Sequence, residues 1–372
     1  MRILHTSDWH LGKKIEMKSR LEEQSLALKG LLKTVKENSV DVTLICGDVF
    51  DTFVPPADAE ELFYETLSQL SALCKVVVIS GNHDDSSRLC ASLPLAIKHN
   101  IFLVGEMDNS AIKTKDVQGG NGYLRIKIKD ETLNLGLLPY PSPSKFSVSD
   151  KEVGYGEKIA QLIAQSCQCF DDKGVNIFAS HLFMEGGEVS GGEKELGTAL
   201  LINKQALPNN AHYCALGHIH KPQTISKSKR AYYSGSLLPY TFDDKTKKRF
   251  AIYDSISDEV FYVDVEGAKQ MYKFDFATAE EGNRLLKENI HSFVHLNYVS
   301  DLPLKSTDVA MLKSYPSFVK LTVQTMHKKS ELKSRAEKSD AELFEAFYES
   351  KKGNKPNKRI TELFLEILGG EK

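Results

Sequence analysis

Short apolar runs alternate with amphipathic stretches over the first hundred residues. Ile3-Leu4, residues 42–46 and residues 76–79 read as strands. Between them Leu21, Leu28, Leu31, Leu32 and Val35 recur at helical spacing, as do Leu62, Phe63, Leu67 and Leu70. Strands separated by helices predict βαβ crossovers and a largely parallel region. From Tyr123 onward strands dominate. Residues 123–129 alternate strictly between apolar and polar, as a half-buried strand should, and 175–179, 213–216, 250–254 and 260–265 are further strand runs. The expected product is an α/β fold of two stacked mixed β-sheets flanked by helices.

The pattern shifts after Gly267. Residues 271–276, 293–299 and 318–325 read as strands, separated by helices from Thr278, with Glu281 completing a capping box, and over 306–314. This βαβαβ pattern predicts a small α+β capping domain over 267–327, behind a main domain over 1–266. Residues 328–338 form a charged linker, and two short amphipathic helices close the chain over 339–372. The first carries Phe344 and Phe347, with Ser339 and Glu342 as its capping box; the second carries Leu363, Phe364 and Ile367. A helical hairpin this small cannot bury its own apolar face, so it must dock on the body or on a partner. Residues 184–198, rich in glycine, read as a loop starting three residues after His181.

Composition narrows the class. At 372 residues the chain is too long for one ordinary core. It has no apolar run long enough to span a membrane, and its start lacks a secretory pattern, so a cytoplasmic protein with no membrane association is expected. Cys46, Cys74 and Cys214 lie in or beside apolar runs and read as reduced, buried small hydrophobes; Cys167 and Cys169 form a lone CxC with no second Cys/His pair to complete a zinc site. A formal net charge of −2 means that nucleic-acid binding would need local patches, for which residues 227–230 and 245–249 are the basic candidates.

The candidate chemistry lies just beyond the strand runs. Asp8-Trp9-His10, Gly47-Asp48, Gly81-Asn82-His83-Asp84, His181 and Gly217-His218-Ile219-His220 each follow one. Strand ends on one edge of an open α/β sheet converge, and ligands bind there. Carboxylate, amide oxygen and imidazole together suit Mn, Mg, Zn or Fe. Seven ligands are too many for one ion, but they fit two ions roughly 3.5–4 Å apart that share a carboxylate, the clamp used on phosphate esters. Asp48 would bridge. Asp8, His10 and His220 would complete one shell, and Asn82, His181 and His218 the other. On a strand His218 and His220 would point the same way. His83 is then free to face the leaving oxygen as a general acid, with the Asp51 carboxylate able to orient it. Trp9, the only tryptophan, lies between two candidate ligands, so its fluorescence is expected to report metal loading.

This ordered set resembles the calcineurin-like metallophosphoesterases. Residues 1–12, 47–52, 81–84 and 215–220, with Tyr233-Ser234-Gly235-Ser236, resemble more closely the double-strand-break repair nuclease branch of that superfamily. The resemblance covers residues 1–266; beyond them it rests on layout alone. It implies a metallophosphoesterase sandwich and a Mn-dependent DNA nuclease, using two Mn²⁺ with Mg²⁺ as the alternative. The implied activities are a 3′-to-5′ exonuclease on duplex ends and an endonuclease at hairpins and single strands. The implied partner is a coiled-coil ATPase, with a homodimer inside a heterotetramer. The ligand assignments carry onto Asp8, His10, Asp48, Asn82, His181, His218 and His220, and the catalytic histidine onto His83. Related repair nucleases tend to place a histidine where this chain has Asp51, whereas phosphatases of the superfamily use an aspartate there to support the histidine, so the role of Asp51 stays open. The resemblance also turns Phe344, Phe347, Leu363, Phe364 and Ile367 into a dock for the ATPase.

Two other classes compete. A small-molecule or phosphoprotein phosphatase would share the metal core but needs neither the small domain nor the terminal helices. A non-catalytic scaffold would be expected to have lost at least one ligand position, and none is lost.

Overall fold

The computed structural model describes residues 1–146, 153–190, 201–300, 302–324 and 339–369. Its body is built on two mixed sheets. The first has the strand order Glu259–Asp264, Arg249–Asp254, Arg2–Thr6, Val42–Cys46, Lys75–Ile79, Ile101–Val104. The last four run parallel, Arg249–Asp254 pairs antiparallel with Arg2–Thr6, and Glu259–Asp264 pairs antiparallel with Arg249–Asp254. The second sheet has the order Gln223–Ser226, Ala231–Tyr233, Tyr213–Gly217, Val175–His181, Glu131–Leu138, Tyr123–Ile128, Val117–Gly120, with a parallel centre.

Alternation along the strands produces the layers. Ile3, Leu44, Val77 and Ile79 leave one face of the first sheet and meet Leu124, Leu135, Ile177 and Ala215 of the second. Their neighbours Leu4, Ile45, Val76 and Val78 leave the opposite face. There Leu28 and Leu31 of the helix Leu21–Glu37, and Phe63 and Leu67 of the helix Ala57–Ser71, cover them. The outer face of the second sheet carries Phe178, Cys214 and Leu216, packed with Ile159 and Ile163 of the helix Tyr155–Ser166. That helix interrupts the stretch where strands were expected to dominate. Its spacing of Ile159 and Ile163, four apart, was the signal, but the stripe is narrow and easily read as part of a strand-rich run.

The expected elements after Gly267 are present. Met271–Phe276, Phe293–Val299 and Phe318–Gln324 form a three-stranded sheet beside the helices Ala279–Glu288 and Ser306–Lys313. Their shared core is Phe276, Leu286, Val294, Leu296 and Leu312. Thr278 Oγ1 accepts the Glu281 amide at 3.3 Å and caps the first helix. The chain divides into two compact units, residues 1–298 with 304–322, and residues 299–303 with 323–372.

The second unit contains the helices Asp340–Lys352, begun by the Ser339–Glu342 capping box, and Lys358–Gly369. Phe344 stacks on Phe364 with ring centroids 4.0 Å apart, while Leu363 and Leu368 are exposed. The expected linker 328–338, loop residues 191–198 and the Ile367 side chain lie outside the described residues. Among the described residues no helix is long and apolar enough to cross a membrane.

Candidate metal centre

The strands Arg2–Thr6, Val42–Cys46, Lys75–Ile79, Val175–His181 and Tyr213–Gly217 all stop at one edge; His181 is the last residue of its strand, and the other candidate ligands stand in the turns beyond theirs. These turns are tight. Asp8, His10, Asp48 and His218 have φ of 52°, 45°, 49° and 105°, a region that side-chain-bearing residues seldom occupy. Each such residue costs about 1–3 kcal/mol, and the cluster persists because hydrogen bonds hold it. The Asp8 amide donates to the Gly47 carbonyl at 3.0 Å and the His10 amide to the Asp48 carbonyl at 3.0 Å, so the two ligand-bearing turns brace each other. Gly81 has no side chain for a physical reason: a Cβ there would run into the Asp48 carboxylate and amide.

Three ligand sets emerge. Asp8, His10 and His220 converge, Asp48, His181 and His218 converge, and His10, Asp48 and His83 form a third group between them; within each set the donor atoms lie within 4.8 Å of one another. Asn82 joins the second set, its Oδ1 lying 3.0 Å from His181 Nε2 and 2.9 Å from His218 Nδ1. His10 Nε2 and His220 Nε2 are 3.1 Å apart. Asp48 lies between the sets, its Oδ2 at 3.4 Å from His181 Nε2 and 3.6 Å from His10 Nε2. All seven candidate ligands come together, and all but Asn82 are buried. His218 and His220 reach the centre by a route other than strand alternation, because the strand ends at Gly217 and His218 turns sharply out of it. Ile219 between them packs into the outer core.

The electrostatics fit a cation. Burial works against the charge on Asp48, yet His181, His10 and His83 beside it hold its carboxyl well below the usual range. Burial raises the Asp8 carboxyl. Burial would also discharge His181, but Asp48 and Asp8 outweigh it and lift the imidazole to about 9. Burial, with the His181 charge nearby, drops His218 to about 3, and burial with His10 nearby takes His220 well below its ordinary value. Two buried carboxylates thus draw one proton onto His181, while His218 and His220 are left as neutral donors. Hard oxygen and imidazole donors of this kind match divalent Mn, Mg, Zn or Fe.

Asp51 stands differently from the expectation. His83 Nδ1 lies 2.8 Å from the Asp51 backbone carbonyl, not its carboxylate. The carboxylate faces Lys13 Nζ at 2.7 Å and His10 Nδ1 at 3.4 Å. The backbone turn puts carbonyl and side chain on opposite duties, which residue spacing alone does not reveal. The Trp9 ring is fully buried in the helix-side core, edge-on to Phe63 at 6.4 Å.

Several supporting residues had no assigned role in the sequence reading, although Asp84, Ser234 and Ser236 stand in its motifs. The buried Asp84 carboxylate accepts the Gly81, Val49 and Phe50 amides at 2.8, 3.2 and 3.0 Å, tying two ligand turns together. Burial, with Asp48 nearby, raises its pKa to about 6. Ser7 Oγ donates to Asp8 at 2.5 Å and meets Ser234 Oγ at 2.9 Å, and the Ser236 amide donates to the His220 carbonyl at 3.0 Å, which explains the Tyr233–Ser236 segment in physical terms. Tyr140 lays its ring on His218, with centroids 6.5 Å apart and planes at 17°.

The basic stretches largely serve the fold. Lys248 is buried, pairs with Asp244 at 2.6 Å and donates to the His220 carbonyl at 2.7 Å. Lys247 and Arg249 pair with Asp264, and Arg230 with Asp258.

The sequence matches the calcineurin-like phosphoesterase family over residues 1–222. It is 33% identical over 398 aligned residues to the SbcD chain of the nuclease SbcCD from Bacillus subtilis (strain 168), covering 100% of this chain and 98% of that one. Among solved structures, the crystal structure of TT1561 of Thermus thermophilus superposes with a TM-score of 0.40 at 12% identity, over 71% of this chain and 99% of that one. The chain belongs to the calcineurin-like phosphoesterases and, through its full-length relationship, to the SbcD family among them: it is a metal-dependent phosphodiesterase.

Proposed function

We propose that this chain is a DNA nuclease subunit that hydrolyses phosphodiesters with two Mn²⁺, Mg²⁺ being the alternative. It acts as a 3′-to-5′ exonuclease on duplex ends and as an endonuclease at hairpins and single strands, in the cytoplasm, during DNA end processing, replication and recombination. Its partner is an SbcC-like coiled-coil ATPase, with two copies of each chain in a heterotetramer. Residues 1–266 form the nuclease domain, 267–327 a capping domain and 328–372 the partner-binding region. The observation that carries this reading is the convergence of two nitrogen and oxygen donor sets on Asp48.

Asp8, His10 and His220 would hold one ion, Asn82, His181 and His218 the other, with Asp48 available to both. When bound, divalent ions would supply activation of a water nucleophile and stabilisation of charge on the transferring phosphoryl group. The protein supplies the rest. Asp48 Oδ1 accepts the His83 amide at 2.8 Å, which fixes His83 beside the ligands. His83 is half-buried, with its ring centroid 4.8 Å from that of His10. With Nδ1–H donating to the Asp51 carbonyl, the proton for the leaving oxygen comes from Nε2. Digestion of a hairpin-ended duplex with Mn²⁺, with and without the ATPase and ATP, tests the proposal. Hairpin opening by the chain and ATP-stimulated duplex digestion by the pair are expected; phosphatase activity without DNA cleavage contradicts it.

A further inference from the structure

Beside the metal centre lies a cleft of about 390 Å³ whose walls include Tyr140, Pro141, Phe146, Leu162, Lys145 and Lys158. It is distinct from the ligand cluster, but Tyr140 lines the cleft and packs against two candidate ligands. One ring lies against His218 and edge-on to His181, with centroids 6.5 and 6.2 Å away, and also lines the cleft. The wall is anchored. The Tyr140 amide donates to the Ser80 carbonyl at 3.0 Å, and Tyr155 Oη donates to the Pro141 carbonyl at 3.1 Å. Phe146 packs on Tyr155 with centroids 5.7 Å apart. The Lys145 ammonium stands at the rim, 3.0 Å from Ser86 Oγ and 3.6 Å from Glu106.

We propose that this cleft receives the unpaired base of the nucleotide next to the scissile phosphate. The inference rests on the nuclease reading above and adds a substrate subsite to it. Three features favour a nucleobase over a purely apolar ligand. The volume falls in the range of small-ligand sites. Aromatic and proline surfaces offer the flat contacts on which bases stack, and such stacking tolerates any sequence. Lys145, paired with Glu106, and Lys158 leave the lining with one net positive charge, which favours a flanking phosphate. Continuity through Tyr140 decides the position. A phosphodiester drawn to the ligand cluster has its attached base within reach of that ring, and the cleft is where an extruded base can leave water.

The test uses the full-length protein, Mn²⁺ and a mixed-sequence single strand carrying one abasic residue at successive positions. Cleavage at the phosphate next to the abasic residue is expected to fall about 10-fold, within the range that loss of one stacked base implies. Ser142→Trp fills the cleft from a wall position outside the candidate ligand set, and it should cut intact and abasic strands at the same reduced rate with Mn²⁺ content unchanged. Because that variant can fail to fold, a second readout uses the wild-type protein in EDTA. A 2-aminopurine at the same position should lose emission on binding. DNA cut without regard to the abasic residue, or 2-aminopurine emission unchanged at saturation, overturns the cleft assignment alone. No cleavage of any DNA overturns the nuclease reading and the cleft with it.

Discussion

Asp48 carries three contacts on one carboxylate. Oδ1 takes the His83 amide, while Oδ2 faces both His181 and His10. The His83 ring is anchored by the Asp51 carbonyl and its amide by Asp48 Oδ1, so removing the ring leaves the donors proposed for the two ions in place. His83→Ala should keep its metal and lose about 10²–10⁴-fold in turnover, the reach of a positioned acid. Elemental analysis beside the rate measurement checks this, and metal loss in the variant would make His83 a ligand. Asp51 acts on the other side. Its carboxylate, anchored by Lys13, faces the Nδ1 of His10 and leaves Nε2 toward the ligand cluster. Asp51→Asn should therefore weaken metal binding at one site by about 10–100-fold, as loss of a ligand-orienting partner does. Unchanged Mn²⁺ affinity with a shifted pH profile would return Asp51 to His83. His181 supplies a pH signature. Its pKa of about 9 in the folded protein lies above the ordinary 6.5. The stabilisation from its charge is complete below about 6.5 and is lost as pH rises through about 9. A metal ion must displace that proton, so affinity should rise with pH across this window. Calorimetric titration of metal-free protein in buffers of different ionisation enthalpy measures the release; identical heats in every buffer would contradict it.

At the scale of elements, strand ends explain why the ligand positions were readable. Runs such as Val76 to Ile79 feed both cores by alternation, so they cannot be anything but central strands, and polar residues just beyond them must sit at the sheet edge. What the turns do with those residues was not readable. The φ of 105° at His218, the carbonyl contact of Asp51 and the bond from buried Lys248 to the His220 carbonyl depend on chain direction and on partners far away in sequence. The terminal helices show the same division. The capping box of Ser339 and Glu342 was local and legible, whereas the Phe344–Phe364 stack depends on how the hairpin closes. That stack takes Phe344 and Phe364 partly out of the proposed dock and leaves the exposed Phe347 and Leu363 as its stronger members, with Leu368 exposed beside them. Deleting residues 339–372 should leave Mn²⁺-dependent cleavage of simple substrates intact and abolish co-purification with the ATPase. A truncated chain that still binds the ATPase at wild-type affinity would move the dock elsewhere.

At the scale of the whole molecule, two sheets from distant parts of the chain deliver their parallel-strand ends to one edge. The first sheet brings Asp8, His10, Asp48 and Asn82; the second brings His181, His218 and His220. The centre exists only when both sheets are packed, so folding and metal binding are coupled and metal should raise the unfolding temperature. The central claim is that the two donor sets share one carboxylate. Mn²⁺ per chain, measured by equilibrium dialysis and elemental analysis on the wild-type protein and on Asp48→Asn, tests it most directly. The account predicts two ions per chain in the wild type and loss of both in Asp48→Asn, with circular dichroism unchanged; two ions retained by a folded Asp48→Asn protein would contradict it.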